Sequence, residues 1–502
     1  MSTTVSPLPN APQASAGAEA NLAAALIAAQ RAGGLSTQRV AVVDDAGAWT
    51  ASELESATAR AAGALRARGL ERGDRVAIAL PPGRAWLQAF LGIVHAGGIA
   101  VPVDPDGPGR AIGAYLEEVG IAAVVTDRAV PVPAVLIHPA ELDRGSRASV
   151  APVAGDDCAF LIATSGSTGR PKGVMHAHGP SVRPGYVRSV LAVGPDDRVL
   201  SASAGFSALG LFIGILRPLA SGACVVLSAR RPTPRSIIAA VASGGVTVLS
   251  AVPTLWAQIA AFLERRPEHA APIARLRHAV ASGEPLAASV AQRLWKTTGT
   301  ALLDGYGSAE CGDIVIGHRP GQHADGLGWA APGVDLFLRP VAGSPGPPFA
   351  TGQLLVRSPT ATLGYWRRPE ETADLLSDGW VRTGDVVRRL VRGLRFEGRV
   401  DGLLKVGGRW LRPVEAEACL YEHPAVLEAA VVGVQSRRDV PGAAVFVTVR
   451  VPPTEGLAGD LRRMLMERVG TCIAGVPVTI VDELPRLGSG KLDRRALLGM
   501  AA

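Results

Sequence analysis

A chain of 502 residues, 48% hydrophobic and 19% charged, is too long for one core and too apolar to stay unfolded, so two or more compact domains are expected. Its 51 lysines and arginines against 44 acids leave a formal charge of +7; no long basic run concentrates it, which argues against nucleic acid and leaves room for a small polyanion. Five scattered cysteines (Cys158, Cys224, Cys311, Cys419 and Cys472) include no Cys-x-x-Cys pair, which argues against a disulfide framework or zinc site and for a reducing, cytoplasmic setting.

Residues 1–20 are rich in Ala, Ser and Pro and read as a disordered tail; no basic residue precedes Arg31, so no secretory signal is expected. Asn21 to Ala32 carries a helical apolar pattern. Strand-like runs then alternate with helical ones. Arg39–Val43 leads to a helix over Ser52–Arg68, and Arg75–Leu80 to a helix over Ala85–Ala96. Ile99–Val103 precedes another helix and Ala122–Val125. This rhythm predicts parallel sheet covered by helices. It resumes at Arg198–Ala204, Ala223–Leu227, Val246–Ala251 and Arg277–Val280. The most apolar stretch, Ala208 to Leu227, is interrupted by Arg217 and Pro218, so no membrane span is expected. After about residue 325 glycine and proline thicken and short strands such as Gln353–Arg357 follow, as in a small antiparallel unit. A domain boundary falls at Gly398–Gly402, followed by strands at Val426–Val432 and Ala444–Val451 and a helix near Leu457–Val469.

Five stretches carry candidate chemistry. The strand-like run Cys158–Ala163 leads into Thr164-Ser165-Gly166-Ser167-Thr168-Gly169-Arg170-Pro171-Lys172-Gly173. Glycines let successive N–H groups curl into an anion nest, hydroxyls add donors, and lysine supplies charge. On residues alone the stretch reads either as such a nest or as a polar turn after a strand. It lacks the Gly-Lys-Ser/Thr ending of a Walker loop. The others are Ala281-Ser282-Gly283-Glu284-Pro285-Leu286, Asp304-Gly305-Tyr306-Gly307-Ser308-Ala309-Glu310, Gly379-Trp380-Val381-Arg382-Thr383-Gly384-Asp385, and Pro485-Arg486-Leu487-Gly488-Ser489-Gly490-Lys491-Leu492-Asp493-Arg494. Any one alone is a glycine-rich turn with a charge.

In this order and spacing, from about Arg39 to Arg495, they resemble the adenylate-forming superfamily: acyl- and aryl-CoA synthetases, adenylation domains of peptide synthetases and beetle luciferases. Phe206-Ser207-Ala208-Leu209-Gly210-Leu211 and Gly364-Tyr365-Trp366-Arg367-Arg368-Pro369-Glu370 look most like the benzoate-CoA ligase branch. The resemblance implies an α/β protein. Residues 21–399 would form a large domain of two helix-covered β-sheets plus a small β-barrel-like unit, and 400–502 a small mobile α+β cap. It also implies ATP, Mg2+ and coenzyme A, with monomer and homodimer both open.

Residue by residue, the resemblance assigns Thr164, Ser165, Gly166, Ser167, Thr168, Gly169 and Lys172 to the triphosphate, and Glu310 to magnesium, a hard oxygen ligand for a hard ion. Ser282, Gly283, Glu284, Asp304, Gly305, Tyr306, Gly307 and Ser308 would surround the nucleotide, with Tyr306 stacked on adenine and Asp304 accepting from its amine. Asp385 would take the ribose hydroxyls, supported by Arg399. Lys491 would reach the junction of carboxylate and α-phosphate. Asp401 aligns with the hinge about which the cap turns, and Lys405, Gly407 and Gly408 would line the thiol channel.

Phe206, Ser207, Ala208, Leu209, Gly210, Asp313 and Ile314 are expected to wall the acid pocket. Amino-acid-activating modules place an aspartate after this phenylalanine; Ser207 stands there instead, which argues against α-amino acids. Small and apolar neighbours suit a flat aryl ring. Asp313, where the benzoate branch often has histidine, either pairs with an amino or hydroxyl substituent of the ring or faces solvent or caps a turn. The leading expectation is an ATP- and magnesium-dependent ligase that converts an aryl carboxylic acid to its CoA thioester through an acyl-adenylate. One alternative acceptor is the phosphopantetheine of an acyl carrier protein. A rival from another class is a non-catalytic adenylate-binding protein, which the presence of Lys491, Glu310 and Lys172 disfavours.

Overall fold

The computed structural model describes residues 20–32, 38–107, 109–130, 133–165, 171–179, 191–318, 326–341, 350–400, 402, 404–406, 409–435, 441–470, 473–487 and 491–501. The expected disordered tail falls almost wholly outside them.

The alternating strand and helix patterns resolve into two large sheets. A seven-stranded sheet runs in the order Gly364–Tyr365, Pro171–Ala177, Cys158–Ser165, Ile99–Pro102, Arg75–Ala79, Ala123–Thr126, Val135–Ile137. Its members from Cys158–Ser165 to Val135–Ile137 pair in parallel. The nine-stranded sheet contains Leu302–Tyr306, His278–Ser282, Val248–Ala251, Arg198–Ser201, Cys224–Val226 and Val40–Asp44 as its parallel centre. Val248–Ala251, Cys224–Val226 and His278–Ser282 are buried at every position, which explains why they read as continuous apolar runs without alternation.

A core short of aromatics has to close by bringing backbones together. The helices Ala51–Ala67 and Arg84–His95 do so: a Cβ built on Gly92 would lie 2.5 Å from Ala61 Cβ. Thr50 and Glu53 form a reciprocal cap that starts the first of these helices. The apolar stretch beginning near Ala208 is a wide, π-type helix, Leu209–Leu216, whose residues from Gly210 to Leu216 are buried. Its Phe212 meets the His176 ring edge-on at 5.0 Å, and His176 stacks on Phe160 at the same spacing. That aromatic stack fixes the helix against both strands flanking the glycine-rich loop.

The antiparallel unit is a five-stranded sheet of Asp335–Pro340, Thr351–Arg357, Trp380–Leu390, Leu376–Ser377 and Gly393–Arg399. Beyond it lies a small body: a three-stranded sheet of Val426–Gln435, Pro441–Val449 and Val478–Ile480, packed by Pro413–Tyr421 and Leu457–Arg468 over its own apolar core. At the junction, Glu397 accepts from Arg388 (2.7 Å), Arg395 (3.0 Å) and Arg412 (2.7 Å), so one carboxylate ties the last strand of the large body to the first helix of the small one. Among the described residues no helix is long and apolar enough to cross a membrane.

Candidate active site

The site forms where the ends of the nine-stranded sheet, the antiparallel unit and the small body meet. The strand Leu302–Tyr306 delivers Asp304 and Tyr306. The buried Asp304 carboxyl has lost its water and is pushed up to about 7, the Gly305 backbone opposing this weakly. The Tyr306 hydroxyl donates to Asp385 Oδ2 at 2.6 Å, and Arg399 Nη1 donates to Oδ1 at 3.1 Å. Asp385 is thus aimed from both sides, and a carboxylate sets two acceptor oxygens side by side, as a diol requires. Burial, and then the Asp385 charge, raise the Tyr306 hydroxyl well above its ordinary value, so it stays a donor. Arg399 can come this close because residue 384 is glycine: its φ is +75°, and an added Cβ would stand 2.7 Å from Arg399 Nη2.

A second group gathers on Tyr365. The pair Gly364–Tyr365 is the edge strand beside Pro171–Ala177, with Tyr365 opposite Val174. The Tyr365 hydroxyl donates to Glu310 Oε1 at 2.9 Å, and the Lys172 ammonium sits 4.9 Å from the centre of its ring. Glu371 is 4.0 Å from Lys172. One aromatic side chain therefore holds both the lysine expected to face the phosphates and the carboxylate expected to take magnesium. No group of three or more His, Cys, Asp or Glu side chains is placed to hold a metal among the described residues. A magnesium ion that takes one carboxylate and completes its shell with phosphate and water oxygens fits Glu310. Gly166, Ser167, Thr168 and Gly169 lie outside the described residues, as does the Ser165 side chain.

The third group bridges the two bodies. Lys491 extends over the turn at Gly283: a Cβ on Gly283 would be 3.0 Å from Lys491 Cε and 3.4 Å from its Nζ. Gly283 has a φ of +92°, a conformation that L side chains rarely adopt. The cleft here is lined by Thr254, Gly283, Glu284, Tyr421, Lys491 and Arg494. Glu284, expected beside the nucleotide, spends its carboxylate on protein. Oε2 accepts from the Thr254 hydroxyl and from Thr254 N (3.3 Å), and Oε1 accepts from Leu492 N (3.1 Å).

On the acid side, Ser207 donates to Ala204 O (2.8 Å) and accepts from Gly210 N (3.1 Å), so its hydroxyl shapes the start of the π-type helix. Gly210 is demanded by that turn, since an added Cβ would lie 2.0 Å from Ala204 O. Phe206, Ser207, Ala208 and Leu209 keep partial exposure, while Ile314 is buried and would touch any side chain at Gly305. Asp313 departs from expectation. It is buried in an ion pair with Arg217, their side chains 3% and 2% exposed, and it also accepts from Ile314 N. The donor that a buried carboxylate requires comes from the protein, so a ring substituent is not needed for that purpose.

Of the cap residues, the backbone of Lys405 lies in the strand Leu404–Val406, opposite Trp410, but its side chain and the whole of Asp401, Gly407 and Gly408 lie outside the described residues. Sequence reasoning missed Tyr365, Thr254, Arg217 and His176. Tyr365 was in a quoted motif with nothing local to mark its contacts. The other three act through partners between 30 and 133 positions away or through burial, which no local pattern carries.

Two bodies thus meet at a cleft over which the smaller one extends a lysine. The family profile described as AMP-binding enzyme matches residues 29–366, and that of the AMP-binding enzyme C-terminal domain matches 415–491. The chain belongs to these adenylate-forming enzymes, in the aryl-CoA ligase branch. It is 32% identical over 492 residues to a benzoate–CoA ligase of Thauera aromatica, covering 90% of this chain and 91% of that one. The crystal structure of a benzoate CoA ligase from Burkholderia xenovorans LB400 superposes with a TM-score of 0.84 at 30% identity, covering 95% of this chain and 99% of that one. An anthranilate CoA ligase solved with anthranoyl-AMP gives 0.86 at 25% identity, covering 95% and 97%.

Proposed function

We propose that this chain is an AMP-forming ligase that activates a benzoate-like aryl acid as its adenylate and passes the acyl group to the thiol of coenzyme A. The observation that carries the reading is Lys491 of the small body lying over Gly283 of the large one, the residue after Ser282, which pairs with Gly305 on the strand that delivers Asp304 and the Asp385-bound Tyr306. A carboxylate is a poor electrophile. Its oxygen attacks the α-phosphorus of ATP and pyrophosphate leaves, so negative charge crowds the α-phosphate as the bond forms. Lys491 offsets that charge from a preset position, and Lys172 addresses the departing phosphates. Magnesium bound at Glu310 would supply further charge neutralisation there. Asp385 accepts from the ribose hydroxyls. Asp304 accepts from the adenine amine when it is ionised.

Residues 21–399 form the adenylating body in this reading and 400–502 the cap, which turns near Asp401 so that Lys405, Gly407 and Gly408 can approach the thiol. Small and apolar residues at Ala208, Leu209, Gly210 and Ile314 suit a flat ring, and Ser207, with its hydroxyl committed to the backbone, offers nothing charged to an α-ammonium. The test is a panel of benzoate, hydroxybenzoates, aminobenzoates and aliphatic acids, assayed for pyrophosphate release and AMP formation with and without CoA. Aryl acids release pyrophosphate, and only the arm with CoA turns over many times. Failure to form AMP from any acid overturns the reading.

A further inference from the structure

Lys491 is a long, flexible side chain on a loop, and a catalytic cation on a loop needs something to fix the loop. The loop fixes part of itself: Leu487 N donates to Lys491 O at 2.9 Å, and Arg486 and Leu492 face each other as an isolated antiparallel bridge. The other polar end of the same peptide unit, Leu492 N, donates to Glu284 Oε1 at 3.1 Å, across the boundary between the bodies. The peptide that follows the Lys491 α-carbon is therefore pinned at both ends, once within the small body and once to the large one. Glu284 is itself anchored, since its Oε2 takes the Thr254 hydroxyl and amide from the start of the helix Pro253–Arg265. That helix also presents Gln258, whose amide donates to Glu428 Oε1 of the small body at 3.0 Å. Glu428 is in turn held by Arg486, at the base of the lysine loop, at 2.6 Å. The helix Pro253–Arg265 and the turn after His278–Ser282 thus present a matched set of polar groups to the Lys491 loop.

We infer that Glu284 is a positioning residue for the first half-reaction: it grips the backbone beside Lys491 only when the small body is docked as here, and so couples docking to placement of the ammonium. This rests on the reading above that Lys491 serves adenylation. A hydrogen bond to an ionised carboxylate is among the stronger ones in proteins, and its loss leaves the lysine loop free to wander in the docked state. Nothing in the second half-reaction uses the contact, because the lysine has then left.

The experiment measures the two half-reactions separately in Glu284→Ala, Glu284→Asp, Glu284→Gln and Lys491→Ala: single-turnover pyrophosphate release from ATP and a competent aryl acid, and CoA thioester formation from the supplied aryl-adenylate. Alanine and aspartate, the latter too short to reach Thr254 and Leu492 together, lower the adenylation rate by roughly 10- to 100-fold with KM for the acid unchanged, and leave thioester formation at or above wild type. Glutamine keeps an acceptor for Leu492 N and a donor for the Thr254 hydroxyl but loses the acceptor for Thr254 N, and recovers adenylation partway, above both alanine and aspartate. The aspartate variant decides the matter should alanine melt early, because it preserves the charge and the Thr254 anchor. Equal losses in both half-reactions, or none in either, overturn the inference. Normal adenylation by Lys491→Ala overturns the functional reading itself; loss in Lys491→Ala with wild-type rates in Glu284→Asp and Glu284→Ala overturns the inference alone.

Discussion

Replacing Gly283 with alanine adds one methyl group at the point where the two bodies meet, and the structure says what that group would touch. Its Cβ would lie 3.0 Å from Lys491 Cε, 3.4 Å from Lys491 Nζ and 3.8 Å from Val252 Cγ1. Ordinary carbon–carbon contact is about 3.5–4.0 Å, so the lysine must withdraw by roughly half an ångström to one ångström. A misplacement on that scale can cost up to about 100-fold in rate when the displaced group acts on the transition state. The backbone adds a separate cost, because a φ of +92° strains alanine; in the left-handed region this is about 1–2 kcal/mol, which reads out as a lower melting temperature. The expected result is a fall of about 10- to 100-fold in pyrophosphate release, with thioester formation from supplied aryl-adenylate within about twofold of wild type. Combined with Lys491→Ala, the glycine change costs little more, since both act on one ammonium. If the losses of the two single variants multiply in the double variant, the methyl group is acting elsewhere and the reasoning is refuted.

Three further outcomes follow from the site. Tyr365→Phe removes the hydroxyl that aims Glu310 while keeping the ring under Lys172, so the magnesium concentration giving half-maximal adenylation rises severalfold at unchanged KM for CoA; a magnesium titration of pyrophosphate release checks this. Asp313→Asn leaves Arg217 buried beside a neutral partner and destabilises the fold by about 3–5 kcal/mol, whereas Arg217→Met with Asp313→Leu recovers most of it, as denaturant midpoints will show. Burial raises Asp304 from 3.8 to about 7, so between those values the folded chain holds a proton that the unfolded chain has released. Stability from that group is complete below about pH 4 and is lost as the pH climbs to about 7. Asp304→Asn should therefore gain on the wild type as the pH is raised from 5 to 8, by on the order of a few kcal/mol at the upper end, in urea melts at each pH; an offset that does not vary with pH rejects the assignment.

Much of this was legible in the sequence because the large sheets are made of short, continuous apolar runs separated by helical patterns, and burial on both faces leaves that mark. Strand ends differed by a few residues: the run Arg198–Ala204 ends as a strand at Ser201, because Ala202 to Ser207 turns back to launch the π-type helix. The motifs were legible for a different reason. Gly283, Gly210 and Gly384 occupy places where a Cβ would strike Lys491, the Ala204 carbonyl or Arg399, so the sequence has no choice there. What the chain does not announce is pairing. Glu284 reads as one more acid in a nucleotide-binding turn until Thr254 and Leu492 are seen on its two oxygens. Asp313 reads as a carboxylate in search of a ligand until Arg217, at the far end of a buried helix, is found beside it.

The chemistry of the contact between the bodies bears on how the cap can move. Its apolar component includes Tyr421, which packs against the core of helix Pro253–Arg265 and has its hydroxyl raised first by burial and then by Glu428, Glu284 and Glu417. Polar contacts across it include Glu284 with Leu492, Gln258 with Glu428, Arg265 with the Arg450 carbonyl, Arg231 with Glu483 and Glu397 with Arg412. A polar contact exchanged for water changes the free energy by about 0.5–1.5 kcal/mol, whereas burying a large aliphatic side chain is worth about 1.5–3 kcal/mol. Polar ties of this kind hold the lysine in register while docked yet surrender little on opening. An apolar interface of the same extent would trap the first half-reaction's arrangement and stall the second. On this argument Gln258→Leu, which removes a polar stitch and adds apolar surface, slows thioester formation more than adenylation, a dissociation of the two rates that single-turnover assays with and without CoA resolve.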